Sequence, residues 1–290
     1  MNTFKQIYNE KIKNIDEYIK ECLDSIKTAD DDLYQSLYYA VLNGGKRLRS
    51  ILCCEIACTL GAKMQDALPF AAAIEFIHAY SLVHDDLPGM DNSDERRGMP
   101  SCHVKYGVGP AILTGDTLLN FAYETMTKEC INKNGAVSQL RAMQVIGDCA
   151  GIHGMINGQA TDLKIAAKLI ENVDECILIK LIEQKTMALI RAAVLSGAYV
   201  AKCGDNVLQK LDKFAYCIGL AFQIRDDFED EEQDNDLTPN FINILGRENA
   251  KKQLEKNVEM AYNILDTIPE FKNDSFIRDF MSYLFGGAVS

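Results

Sequence analysis

Apolar residues recur at three- and four-residue spacing through long windows of this chain, and hardly any stretch alternates with period two between turn signals. That periodicity permits little besides packed α-helices. Turn-forming residues divide the pattern at Asn43-Gly44-Gly45, Pro88-Gly89, Gly107 to Pro110, Asn132 to Gly135, Cys203 to Asn206, Gln233 to Asn240 and Pro269 to Asp274, which predicts about ten helices. The gaps are too short for linkers and composition hardly shifts along them, so residues 1–290 read as a single all-α domain, a helical bundle. No fixed-period repeat marks a solenoid, and 48% hydrophobic residues supply a large core.

Charge and cysteine usage narrow the function classes. The chain has 42 acidic against 30 basic residues, a net charge of -12, and no basic patch to overcome that field, which excludes nucleic acid as a partner. Ten cysteines lie scattered without paired spacing, as in a reducing compartment. The first residues, Met1-Asn2-Thr3-Phe4-Lys5, lead into a helix with no apolar signal core, and no run is read as long enough to span a bilayer. The expectation is a soluble cytoplasmic protein with no integral membrane association.

Two acidic clusters carry the functional signal. In His84-Asp85-Asp86-Leu87-Pro88-Gly89-Met90-Asp91 the proline and glycine end a helix and fold Asp91 back toward Asp85 and Asp86. His78, Ser81 and Asp85 share one helical face, opposite Ala72, Phe76, Ala79 and Val83, a pattern suited to a polar-mouthed cavity inside a bundle. In the second cluster Gln223, Asp226, Asp227 and Asp230 fall on one face after the apolar run Ile218 to Phe222. Crowded carboxylates persist together only if a cation or water offsets their repulsion. Magnesium suits them, because it takes oxygen ligands from one or two carboxylates plus substrate phosphates. Glu231 through Asp236 reads as a solvated acidic face.

Basic groups stand where they can meet phosphate. Gly44-Gly45 precede a helix whose first turn is read as carrying Lys46 and Arg49, so free N–H groups and two cations favour an anion there. Arg96-Arg97 follow the first acidic cluster. Lys185-Thr186 lead into the apolar run Met187 to Ile190, where a lysine must snorkel out or meet a counter-charge. Gln159 and Asp162 form a further polar pair one turn apart, and Gly151, Gly154 and Gly158 before them read as helix-packing positions. His103 and His153 read as structural. Gly107-Val108-Gly109 lacks the strand and third glycine of a dinucleotide fold, and no zinc-protease or calcium-loop spacing occurs.

Taken together, Gly44-Gly45-Lys46-Arg47-Leu48-Arg49, the segment Glu75 to Asp91, Arg96-Arg97-Gly98, Gly158-Gln159-Ala160, Lys185-Thr186 and Phe222-Gln223 before Asp226-Asp227 resemble the trans-prenyl diphosphate synthase family, and most closely its bacterial farnesyl branch. The likeness runs from about Leu42 to Asp230. It implies a bundle around a deep central cavity, usually homodimeric, with the two aspartate motifs facing each other across the mouth. By that resemblance Asp85, Asp86, Asp91, Asp226 and Asp230 are magnesium ligands, and Asp85, Asp86, Asp226, Lys185 and Arg96 carry catalysis. Arg96, Lys185, Thr186 and Gln223 meet an allylic diphosphate. Lys46, Arg49, His78 and Arg97 hold isopentenyl diphosphate. Tyr80 and Ser81 lie five and four residues before Asp85, roughly 6 to 8 Å down the helix, where an aromatic ring resembles the floor of short-product enzymes. The implied product is farnesyl diphosphate, with geranyl and geranylgeranyl diphosphate as alternatives.

Two rival readings share parts of this pattern. A terpene cyclase needs no second diphosphate site, against which Lys46, Arg49 and His78 argue. A non-catalytic regulatory subunit needs neither aspartate motif, and both are present. The chain does depart from the family after Asp230. The usual Gly-Lys pair and further lysine are missing, since Glu231 to Asn240 contains no lysine, arginine or glycine. An active synthase with weakened allylic binding is therefore expected.

Overall fold

The computed structural model describes residues 2–26, 31–230 and 239–286. The acidic segment 231–238, on which the expectation of weakened allylic binding rests, lies outside them. Among the described residues the chain forms fourteen α-helices, one π turn and a minimal hairpin, so the all-α expectation holds. In order these are α1 (Asn2–Ser25), α2 (Asp31–Leu42), α3 (Leu48–Thr59), α4 (Met64–Asp85), β1 (Glu95–Arg96), β2 (Met99–Pro100), α5 (Cys102–Tyr106), α6 (Val108–Asn132), α7 (Val137–Ala150) and α8 (Met155–Ala166). After them come α9 (Glu175–Ile182), the π turn (Glu183–Met187), α10 (Ala188–Val200), α11 (Asp205–Glu229), α12 (Phe241–Leu245), α13 (Arg247–Asp266) and α14 (Ser275–Phe285). The helix count exceeds ten because the chain also breaks after Thr59, around Gly151 to Gly154 and at 167–174, where polar residues and glycine interrupt the 3.6 period.

The helices α4 and α10 form the centre. Helix α4 packs against α3, α6 and α10, and α10 against α3, α7 and α11. Phe70, Ile74, Phe76 and Ile77 of α4 are fully buried, each worth about 1.5–3 kcal/mol relative to exposure. This helix corrects one expectation. It carries few charged side chains, with Glu75 buried at its middle, and its 22 residues are apolar enough on average to cross a membrane by length and composition. Most of that window is instead buried among neighbouring helices.

The hairpin sets the two arginines apart. Strands β1 and β2 pair antiparallel, Glu95 with Pro100 and Arg96 with Met99. The connecting Arg97 and Gly98 both have positive φ, 56° and 72°, as a two-residue hairpin loop of type I′ requires. Arg96 thereby turns toward the end of α4, and Arg97 toward the loop before α3.

Candidate active site

A cavity of about 570 Å³ opens among α3, α4, α6, α8, α10 and the π turn. Arg49, His78, Asp85, Asp116, Gln159, Lys185 and Thr186 supply its polar wall, while Tyr80, Leu119, Met155, Ile156, Leu163 and Leu189 supply the apolar part. The face read from α4 is therefore the one that lines the cavity, with Ser81 between His78 and Asp85. Tyr80 packs edge-on to His84 at 5.9 Å, and one turn deeper Phe76 meets Phe121 at 5.1 Å.

The first acidic cluster folds back as its proline and glycine dictate. The Asp91 N–H donates to the Asp85 carbonyl at 2.9 Å, and the Ser93 N–H to the Asp86 carbonyl at 3.2 Å. The carboxyl groups then part company. Asp85 faces the cavity, and burial pushes its carboxyl up to about 6; Lys185 and Arg96 pull it down, while Asp91 and Asp86 push it further up. Asp86 is buried against Arg96, whose Nε lies 3.1 and 3.3 Å from its two oxygens. Asp91 is exposed on the loop.

Lys185 meets its counter-charge, forming an ion pair with Asp162. The π turn makes this possible by carrying one more residue per turn than an α-helix, and it presents both Lys185 and Thr186 to the cavity. Close approach by α8 is the other requirement. A Cβ at Gly158 would lie 2.4 Å from the Lys185 backbone nitrogen, so only glycine lets α8 bring Gln159 and Asp162 against the turn.

The basic groups gather on the other flank. Gly44 and Gly45 have φ of 80° and 130°, and a Cβ on Gly45 would approach Arg97 Nη1 to 3.3 Å. That backbone lets Arg97 donate to the Gly44 carbonyl at 2.7 Å. Helix α3 begins at Leu48, so Lys46 is an exposed residue ahead of the helix rather than part of its first turn, which Arg49 does occupy. Arg49 Nη1 lies 3.4 Å from His78 Nε2. Burial, then Arg49, Arg97, Arg47 and Arg96, hold the His78 imidazole neutral well below its usual range. Between the cations sits Arg47, buried, with left-handed backbone (φ 47°, ψ 30°), a conformation costing an L-residue about 1–2 kcal/mol.

The second cluster is more self-contained. Asp226 accepts from Arg225 Nη2 at 2.7 Å, while burial pushes its carboxyl up and Arg225 pulls it down. Arg225 Nη1 also donates to the Leu284 carbonyl at 3.1 Å, tying the cluster to α14. Asp227 is buried, accepting from Gln223 Nε2 at 2.9 Å and from the Phe241 N–H at 2.8 Å. Gln223 is thus engaged along its own helix, and Asp230 is exposed at the end of α11. Asp226 is close enough to act on Arg49, on whose guanidinium its charge is felt.

Among the described residues no three His, Cys, Asp or Glu side chains converge into a ready-made metal cluster. An oxygen-only set spread over Asp85, Asp91 and Asp226 still fits magnesium, which keeps several waters and shares its shell with phosphate. The desolvated Asp85 carboxylate, without an ion-pair partner among the described residues, is where a cation would be welcome. Among the described residues two donors of the cavity wall also lack acceptors: Arg49 Nε and Gln159 Nε2 are buried without hydrogen bonds. Gln159, Asp162, Asp116 and His84 join the site beyond the residues assigned from sequence. The Gln159–Asp162 spacing was a visible signal; the contact to Lys185 was not.

A family model described as Polyprenyl synthetase matches residues 30–239. The chain is 36% identical to a farnesyl diphosphate synthase of Haemophilus influenzae, covering 93% of this chain and 94% of that one. It is 37% identical to the Arabidopsis thaliana heterodimeric geranylgeranyl pyrophosphate synthase large subunit 1, chloroplastic, covering 74% of this chain and spanning 58% of that protein's length. The apo crystal structure of an FPP/GFPP synthase from Zymomonas mobilis superposes with a TM-score of 0.89 at 31% identity, covering 97% of this chain and 98% of that one.

Proposed function

The chain belongs to the polyprenyl synthetase family, and on that premise we propose that it joins an allylic diphosphate, dimethylallyl or geranyl, to isopentenyl diphosphate, with farnesyl diphosphate as product. One observation carries the reading. A single cavity has a desolvated carboxylate at Asp85, cations at Arg49 and Lys185, two buried donors without acceptors among the described residues, and an apolar wall that includes the Tyr80 ring, Leu119, Met155, Leu163 and Leu189. A diphosphate with a hydrocarbon tail satisfies each of these together.

Asp85, Asp91 and Asp226, flanked by Asp86 and Asp230, would hold magnesium, which when bound offsets the charge that builds on the departing diphosphate. Arg96 and Lys185 are held by Asp86 and Asp162 before substrate arrives and turn to the allylic diphosphate when it does. Gln223 reaches that substrate by giving up Asp227. Lys46, Arg49 and Arg97 bind the isopentenyl diphosphate, with neutral His78 as a hydrogen-bonding partner. Orientation of the isopentenyl double bond then replaces a conventional nucleophile. The apolar wall keeps water from the allylic cation, whose charge the Thr186 hydroxyl eases. Tyr80 limits the tail, with Ser81 beside it. We assign the working form as a single-domain cytoplasmic homodimer.

The test is incorporation of radiolabelled isopentenyl diphosphate by the purified protein with magnesium and each allylic starter, followed by chain-length analysis. The expected product has fifteen carbons, and Tyr80→Ala lengthens it. No label in an extended product overturns the synthase reading, whereas an unchanged chain length in an active Tyr80→Ala returns that ring to the core.

A further inference from the structure

We infer that Arg47 is a positioning residue for the isopentenyl diphosphate site, holding Lys46 and Arg49 in place through a buried anchor on Glu75 and Asp16. The inference rests on the substrate assignment above and concerns a residue to which that assignment gives no role.

Arg47 stands between the exposed Lys46 and the cavity-lining Arg49, yet it turns away from both and is 5% exposed. Its Nη1 donates to Glu75 Oε2 at 3.1 Å, its Nε to Asp16 Oδ1 at 2.8 Å and its Nη2 to the Val41 carbonyl at 2.7 Å. The three directions of the guanidinium fork are thus engaged by α1, α4 and the end of α2, which fits Arg47 for holding rather than for binding ligand. Glu75 is itself fixed, since Ser50 Oγ donates to its other oxygen at 2.7 Å. The preceding peptide is pinned as well, because Tyr8 Oη donates to the Lys46 carbonyl at 2.6 Å.

This anchor holds a backbone that would otherwise relax. A non-glycine residue stays left-handed only where its surroundings over-determine it, and here the surroundings are Tyr8, Asp16 and Glu75. Relaxation of φ at Arg47 would rotate the peptides on either side and carry Lys46 and Arg49 in different directions. Glu75 contributes a second effect. Its buried negative charge lies near Arg49 and Arg97 and favours their charged forms where burial opposes them. The pair thus fixes the geometry of the anion site and steadies its charge.

Four variants test the assignment: Arg47→Gln, Arg47→Gly, Asp16→Asn and, as a reference for the substrate site, Lys46→Ala. The readouts are Michaelis constants for both substrates, kcat and the melting temperature. Arg47→Gln should raise the isopentenyl constant about tenfold to a hundredfold, as displacement of binding groups by about 1 Å does, with the allylic constant and kcat little changed. Arg47→Gly keeps the left-handed backbone without the anchor and should raise the same constant less. Asp16→Asn alters a half-exposed partner, so it should fold and shift the isopentenyl constant alone by a few-fold; it decides the matter if Arg47→Gln does not fold. Unchanged isopentenyl constants in folded variants, or both constants rising together with lost stability, would overturn the positioning role. If Lys46→Ala also leaves the isopentenyl constant unmoved, the substrate assignment fails first, and that outcome is distinct.

Discussion

The acidic clusters at the ends of α4 and α11 dispose of their charge in opposite ways. At α4 the loop hydrogen-bonds to itself through backbone, leaving the Asp85 carboxylate aimed into the cavity without an ion-pair partner among the described residues, and Asp86 takes up Arg96. At α11 the side chains do the bonding: Arg225 holds Asp226 and links it to α14, while Gln223 and the Phe241 N–H hold Asp227. One cluster stores an unmet demand for positive charge; the other arrives partly satisfied. Similar acidic patterns can therefore differ in how strongly they compete for a cation, and the difference lies in the neighbours.

The largest effect should come from removing the unmet carboxylate. Asp85→Ala should cut kcat about a thousandfold, the upper range for losing one element of transition-state charge stabilisation, with little loss of fold. Asp226→Ala should cost about ten times less. Equal losses in steady-state assays would break the comparison.

Next comes the segment that follows the second cluster, residues 231–238. Building a glycine and two lysines into it should lower the allylic Michaelis constant by about one to two orders of magnitude, since each charge-assisted hydrogen bond contributes about 1.5–3 kcal/mol. The isopentenyl constant should stay level. An allylic constant unmoved by the insertion would mean another cation, such as Lys251 or Lys252, already serves.

A smaller effect is expected at Arg225. Arg225→Gln frees Asp226 from its guanidinium and should reduce the magnesium concentration for half-maximal activity about fivefold, roughly 1 kcal/mol. Calorimetric titration with magnesium and a diphosphate should move in step. A higher magnesium requirement would indicate that Arg225 aligns Asp226 more than it competes for it.

The smallest effect concerns stability. Folding raises the Asp85 carboxyl from 3.8 to about 6, so between those values the folded state binds more protons than the unfolded one. Stability from this group is present at low pH and lost as pH rises through that window. Without magnesium, Asp85→Asn should melt a few degrees above the parent at pH 7, the shift expected of about 1 kcal/mol in a chain this size. The gap should close toward pH 4, and magnesium with a diphosphate should stabilise the parent alone. A melting difference independent of pH would remove desolvation as its cause.

Legibility from sequence followed the range of each interaction. The α4 face was readable because helical period places His78, Ser81 and Asp85 together, and the turn at Asp91 because proline and glycine announce it. The all-α class followed for the same reason. Pairings across the bundle were not readable: Asp162 reaches Lys185 from α8, and Arg47 reaches Asp16 and Glu75 from α1 and α4. Nor was the conformation of Glu183–Met187, since nothing in five residues of mixed polarity announces a π turn. The apolar length of α4 is interrupted in the sequence by Asp66, Glu75, His78 and Ser81, so it does not read as one apolar run although its average is high, and burial among neighbouring helices is what accounts for that average.

That π turn also makes the chain unforgiving of a change in length at one place. One residue in an α-helix is about 100° of rotation, so α9 and α10 stand out of phase by that amount across the turn. Leu178, Leu181 and Ile182 before it, and Leu189, Ala192 and Ala193 after it, are buried by virtue of the offset. Deleting any single residue from Glu183–Met187 would let the two helices fuse into one uninterrupted α-helix, at a gain in local hydrogen bonding and at the loss of one partner face or the other. A one-residue change of length that a surface loop absorbs would thus, at this turn, rotate a buried face out of the core.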